Sequence, residues 1–313
     1  MLSSFLAVQL SAAAICDWTG LLQFFSLIPS FSCEYVRTCV DRLPRHIIVD
    51  LSPSMDMDMD MDMSKQQQQQ QEEAGAASNN NKQRAVAAAA HALAVAAVVL
   101  VVVWCVHFRG GVALRSVQNK QLIFNLHPVL MVLGPIVLGG EAILSYRSLL
   151  LVPRAARKKA HMALHAAGLA AGVLGVYAVF KFHVESGIPN LYSLHSWVGI
   201  AAISLYAAQW AAGFLAFFFP GASPPARRRA LLPWHAVAGV LVFALAVATA
   251  QLGFLEKLTF LQSPPLRLPK YGVEAMLVNF TALVVLLLGV AVVLATLNIT
   301  TDGTTRSSYS AIV

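Results

Sequence analysis

From Ala85 onward the chain alternates long apolar runs with short breaks that are charged or turn-forming. Six runs stand out: Ala85 to Val106, Gln121 to Ser145, Ala160 to Phe182, Tyr192 to Phe219, Leu231 to Phe254 and Glu274 to Leu297. Each is long enough to cross a hydrocarbon layer of about 30 Å, which takes ~20 helical residues, and each is long for a helix in a soluble domain. The breaks include Gly110-Gly111, the basic run from Arg154 to Lys159, Ser186 to Pro189, Pro220 to Pro225 and Ser263-Pro264-Pro265. They are short turn signals, so consecutive helices should be antiparallel neighbours in one bundle. The pattern predicts an all-α integral membrane protein with six transmembrane helices, over a membrane domain from residue 85 to 297 and a cytosolic tail from 298 to 313.

Before Ala85 the pattern disappears. A mildly apolar stretch to about Leu51 is followed by alternating Met and Asp from Met55 to Met63, a glutamine run from Gln66 to Gln71, and Asn79 to Asn81. Such composition cannot bury enough apolar surface to build a core, so residues 1–84 are expected to form an unfolded extension. Met1 to Ser32 has the length of a signal-like or targeting segment, although Asp17 interrupts its apolar stretch and no cationic stretch precedes it. Translation from one of the methionines at Met55 or beyond would leave the first part out.

Composition agrees with a membrane solvent: 58% of residues are apolar and 12% are charged, against roughly 25% charged in soluble domains. The net charge of +7 is concentrated in the connectors. Arg147, Arg154, Arg157, Lys158 and Lys159 lie between helices two and three, and Arg227, Arg228 and Arg229 between helices four and five. The opposite connectors and helix ends hold Arg109, Arg115, Lys120, Lys181, Lys257, Arg267 and Lys270. This bias makes the first set cytoplasmic and puts both termini in the cytosol. Nothing in it has the form of a nucleic-acid surface. Of the cysteines, Cys16, Cys33 and Cys39 precede the apolar core and Cys105 lies in it, which offers no disulfide framework and no CxxC metal site.

Against this background four histidines are out of place. His127, His161, His195 and His235 sit inside apolar runs, where a polar group is costly unless it faces the bundle interior and finds a partner. Helices two and four start on the non-cytoplasmic side, with His127 about two turns and His195 about one turn in; helices three and five start on the cytoplasmic side, with His161 and His235 near their first turns. The four therefore form two depth-matched pairs, and two bis-histidine haem sites, one near each surface and roughly 20 Å apart, are the leading reading. His165 shares a helix face with His161, and spacing alone does not choose between them. Zinc fits less well, since two histidines per level do not complete a tetrahedral set. Gly134, Gly139, Gly168, Gly172, Gly199, Gly213 and Gly239 would admit a flat macrocycle against helix backbones or serve plain helix packing. His91, His107 and His183 fall at helix ends, where headgroups or water suffice.

The motifs FNLHPVLMVLG, GEAILSYR, KKAH, KFH, LYSLHSW, QWAAGF, PWH and EAMLVN, in that order through the membrane domain, resemble the cytochrome b561 family of ascorbate-reducible transmembrane proteins. Ala142 to Arg147 stands where that family has an ALLVYR-like motif, and Ser193 to Trp197 reproduces its SLHSW motif. The resemblance implies two heme b groups inside the bundle of helices two to five, with His127 and His195 ligating the non-cytoplasmic one and His161, rather than His165, with His235 ligating the cytoplasmic one. It implies an oxidoreductase that passes electrons from cytosolic ascorbate to monodehydroascorbate or a ferric chelate on the other side.

Ascorbate is an anion, and the cationic edge of Arg154, Lys158, Lys159 and Arg227 would concentrate it beside the inner site, with Tyr146 and Arg147 placed to orient it. The same cations also satisfy the positive-inside rule. On the far side Phe182, His183, Tyr192, Glu274 and Asn279 form the expected acceptor set. A redox-inactive membrane scaffold or sensor, and a transporter using the histidines as a relay, are the competing readings. The resemblance suggests a vacuolar (tonoplast) or plasma membrane, with lipid and a second copy of the chain, as a homodimer, among the partners.

Overall fold

A computed structural model describes residues 54–148, 152–219 and 223–296. Residues 1–53 of the expected extension and the tail from residue 298 lie outside the described residues, as does the side chain of Arg147. Six helices are long and apolar enough to cross a membrane: α1 Met61–Phe108, α2 Gln121–Tyr146, α3 Arg154–Ser186, α4 Leu194–Phe218, α5 Pro225–Gln262 and α6 Val273–Thr296. The six expected spans are all present, and the protein is an integral, multi-pass membrane protein. Several helices outrun the apolar runs. Arginine and lysine are good helix formers, so α3 begins in the basic run at Arg154. Proline is tolerated in a first helical turn, so α5 begins at Pro225. His161 is consequently about two turns into its helix and His235 about three, deeper than the runs alone suggested.

The helix that continues into α1 already starts at Ser54, and its residues from Gln66 to Arg84 are almost wholly exposed. An unfolded extension was expected over this stretch. The expectation rested on burial, and none is found here. Backbone conformation follows instead the high helix propensity of Gln, Glu and Ala.

α2, α3, α4 and α5 each pack on the next, and α5 returns to α2; α6 lies against α2 and α5, and α1 against α6. The α2–α3 crossing is close because it is lined with glycine. A Cβ on Gly134 would lie 2.7 Å from the Gly168 carbonyl oxygen, and one on Gly172 would lie 3.1 Å from Pro135 Cγ. Small residues at these points let the backbones touch. α2 holds Pro128 and Pro135; proline lacks the N–H that continues an α-helical ladder, and the helix widens into a π turn over Val132–Leu138.

The densely packed apolar core is off-centre. It is built by Ala90, Ala94, Ala97, Val101 and Trp104 of α1 against Val285, Leu288 and Val292 of α6, with Ile136 and Leu144 of α2 and Phe243 and Val247 of α5. The middle of the α2–α5 ring holds the histidines instead. The α1–α2 connector is fixed by buried Asn125, which donates to the carbonyls of Arg109 (3.1 Å) and Gly111 (2.7 Å). The sharp reversal there uses Gly110 and Gly111, both at positive φ.

Candidate functional site

The four sequence-predicted histidines meet in two pairs across the ring. His127 of α2 faces His195 of α4 with ring centroids 6.1 Å apart, and His161 of α3 faces His235 of α5 at 6.5 Å. These spacings suit a metal held between the rings. With about 2.0 Å from metal to each nitrogen and ~1.1 Å from nitrogen to ring centre, two opposed imidazoles have centroids roughly 6.2 Å apart.

The ring orientations suit it too. His127 Nδ1 donates to Gly175 O (3.0 Å), His161 Nδ1 to Ala142 O (2.8 Å) and His195 Nδ1 to Thr249 O (3.0 Å). Binding the proton at Nδ1 leaves the Nε2 lone pair for a metal, and a partner on the other nitrogen is the rule for ligating imidazoles. His235 differs: Gln209 Nε2 donates to its backbone carbonyl (2.6 Å) and lies 3.0 Å from its Nδ1, so no carbonyl oxygen holds a proton on this ring nitrogen.

Glycine makes space beside each pair. A Cβ on Gly213 would lie 2.8 Å from His235 Cε1, and one on Gly253 would lie 2.7 Å from His195 Cε1. Gly134, Gly168 and Gly172 serve the helix crossing, Gly213 stands against the His235 ring, and Gly253, not singled out in the sequence, stands against that of His195. His165 does not face His235. Its Nδ1 lies 2.7 Å from the Tyr206 hydroxyl and its ring packs edge-on against His161 at 4.5 Å.

Around the inner pair, the Tyr146 ring stands 5.2 Å from that of His161, and Phe217 stands 5.2 Å from His235. Lys158 donates to the Phe217 carbonyl and lies 5.8 Å over the Phe218 ring, which ties it to the end of α4. Arg157, outside the expected set, donates to Tyr146 O (3.1 Å). Arg227 lines a small cavity with Ser223 and Leu231, and Arg154 is exposed. The expected donor-side residues with described side chains therefore gather at the ends of α2, α3, α4 and α5.

The outer pair opens into a cavity of about 450 Å³ whose lining includes His127, His195, Phe182, His183 and Tyr192. His183 Nδ1 lies 3.1 Å from Asn190 Oδ1, and its ring is 6.4 Å from that of Tyr192. Two members of the expected acceptor set are placed elsewhere. Glu274 is buried, paired with Arg109 and accepting from Trp104 Nε1 (3.0 Å). Asn279 is on an exposed face of α6. Neither lines the cavity. Placing them by helix end fixed their level but not which way they face.

Sequence reasoning passed over Gln121, Asn190, Glu256 and Lys257, all on the cavity wall. Lys257 was counted with the connector cations because the apolar run was ended at Phe254; the continuation Leu258-Thr259-Phe260-Leu261 was the signal that α5 extends past it. His91, set aside as a helix-end residue, lies 2.8 Å from Glu141 across α1 and α2.

A family model described as eukaryotic cytochrome b561 matches residues 126–261. A probable ascorbate-specific transmembrane electron transporter of Oryza sativa subsp. japonica is 59% identical over 195 residues, covering 62% of this chain and 82% of its own length. A transmembrane ascorbate ferrireductase of Arabidopsis thaliana is 53% identical over 220 residues, covering 68% and 90%. A transmembrane ascorbate-dependent reductase of Ovis aries is 43% identical over 157 residues, covering 50% and 60%.

Proposed function

The chain belongs to the cytochrome b561 family, and we propose that it is an oxidoreductase carrying electrons across a membrane from ascorbate on the cytosolic face to monodehydroascorbate or a ferric chelate on the other. The observation that carries this reading is the pair of facing imidazoles at each end of one bundle, 6.1 and 6.5 Å between ring centroids. His127 with His195, and His161 with His235, would each hold a heme b. Such a group would supply one-electron carriage, and, held by two imidazoles, would carry electrons without binding substrate. Substrates must then be met by side chains at the two rims.

At the inner rim Arg154, Lys158 and Arg227 raise the local concentration of an anionic donor, and Tyr146, with its ring against that of His161, stands between that rim and the inner pair. At the outer rim His183 and Tyr192 receive the acceptor at the cavity wall. Both termini are cytosolic on this reading, and the family resemblance points to the tonoplast or plasma membrane, with a homodimer as the assembly to test for.

The test is a reduced-minus-oxidised absorption spectrum of the purified chain with ascorbate as reductant. Two ascorbate-reducible b-type haems per chain are expected. A chain without haem, or with haem inert to ascorbate, overturns the proposal.

A further inference from the structure

The outer cavity keeps two hydrogen-bond donors that no acceptor among the described residues satisfies. Lys257 of α5 lines it, and its ammonium sits over the face of Phe124, with Nζ 3.8 Å from the ring centroid. Among the described residues the ion pairs are His91–Glu141, Arg109–Glu274 and Lys181–Glu185, and none includes Lys257. The neighbouring carboxylate, Glu256, accepts from Ser193 Oγ at 3.1 Å. Gln121, the first residue of α2, lines the same cavity, and its Nε2 is buried without a hydrogen-bond partner. Gln121 and Phe124 are one turn apart on α2, and His127 follows on the next turn. The two donors therefore belong to the wall on which one member of the outer histidine pair stands. Arg109 is taken by Glu274, and Glu256 is bound to Ser193, so the Lys257 ammonium has no ion-pair partner of its own among the described residues, a costly state within the membrane. A buried amide N–H without a partner likewise calls for an acceptor.

We propose that Lys257 and Gln121 together receive a carboxylate of the group bound between His127 and His195, namely a propionate of heme b. The assignment rests on the function proposed above and adds the residues that would fix the macrocycle's rotation and edge. An ammonium and a primary amide both donate to a carboxylate. A diffusible anionic acceptor would present similar oxygen chemistry, and the experiment separates the two sources.

The holo-protein in detergent is compared with Lys257→Met, Lys257→Arg and Gln121→Leu, without acceptor present. Two quantities are read: the midpoint potential of each haem, and the rate at which each haem is lost to excess apomyoglobin. Lys257→Met is expected to lower the outer midpoint, because a positive charge near the iron favours the added electron. It should also speed loss of the outer haem several-fold. Lys257→Arg should restore most of both, and Gln121→Leu should speed the loss to a smaller degree. The inner haem reports that each variant is folded and should not change. If Lys257→Met leaves the outer midpoint and loss rate at wild-type values, the proposal is overturned; a raised KM for an anionic acceptor in that same variant would assign the cation to the acceptor instead. A wild-type chain that binds no haem would mark failure of the earlier reading, before this comparison begins.

Discussion

Gly253 and His195 leave no space between them for a methyl group: a Cβ on the glycine would stand 2.7 Å from Cε1 of the ring. Gly213 stands in the same relation to His235 at 2.8 Å. Because Nδ1 of His195 is held by the Thr249 carbonyl, the ring cannot retreat without breaking that bond. Gly253→Ala is expected to reduce the outer haem selectively and Gly213→Ala the inner one, matching His195→Ala and His235→Ala in kind but milder in degree. Haem content of each variant, resolved by the two α-band components, is the measurement. Equal loss of both haems from every folded variant would contradict the pairing.

Donor steering is best probed at Arg154 and Arg227. Lys158 is bound to the Phe217 carbonyl and packed on Phe218, so removing it disturbs the end of α4 as well as the charge. Arg154→Ala and Arg227→Ala should each slow reduction by ascorbate by about two- to tenfold, with haem content unchanged, consistent with long-range charge attraction. The rate should also lose part of its salt dependence, since screening acts over about 8 Å at physiological ionic strength. Stopped-flow reduction at two salt concentrations checks this, and an unchanged salt slope would reduce these arginines to markers of topology.

Glu274 is expected to matter for stability rather than for acceptor use. It is buried between Arg109 and Trp104, and breaking a buried ion pair from one side leaves a charge without a partner, at a cost of about 3 kcal/mol. Glu274→Gln should therefore lower the thermal midpoint of the detergent-solubilised protein by several degrees while the KM for a ferric chelate stays within about twofold of wild type. A large KM change without loss of stability would return Glu274 to the acceptor site.

His183 lines the outer cavity, 3.1 Å from Asn190 Oδ1 and near Tyr192. His183→Ala should slow oxidation of the reduced protein by a ferric chelate several-fold and leave reduction by ascorbate unaffected. Measuring the two half-reactions separately distinguishes the rims. Slowed ascorbate reduction with a normal acceptor step would reverse the orientation.

The helices and the histidine pairs were legible because both are one-dimensional signals. Apolar length identifies a span, and depth along alternating helices groups His127 with His195 and His161 with His235. What the sequence hid was rotation about each helix axis. Glu274 and His183 end at one level, yet one turns into the α1–α6 contact and the other toward the cavity. Lys257 looked like a connector cation until α5 was seen to continue to Gln262, and Gln121 looked like the polar opening of a span. His91 and Glu141 lie on separate helices whose contact no local pattern announces. Lateral packing, which settles all of these, depends on neighbours distant along the chain.

The off-centre core gives the bundle two unlike sides. Along the seam of α1, α2, α5 and α6 the chain fills its own interior with Val, Leu, Ile and Trp. Across the ring, facing imidazoles, cleared glycines and an open cavity leave room for something flat. The first side is held by the chain's own side chains, whereas the second places its four histidines toward a group that the chain does not itself supply.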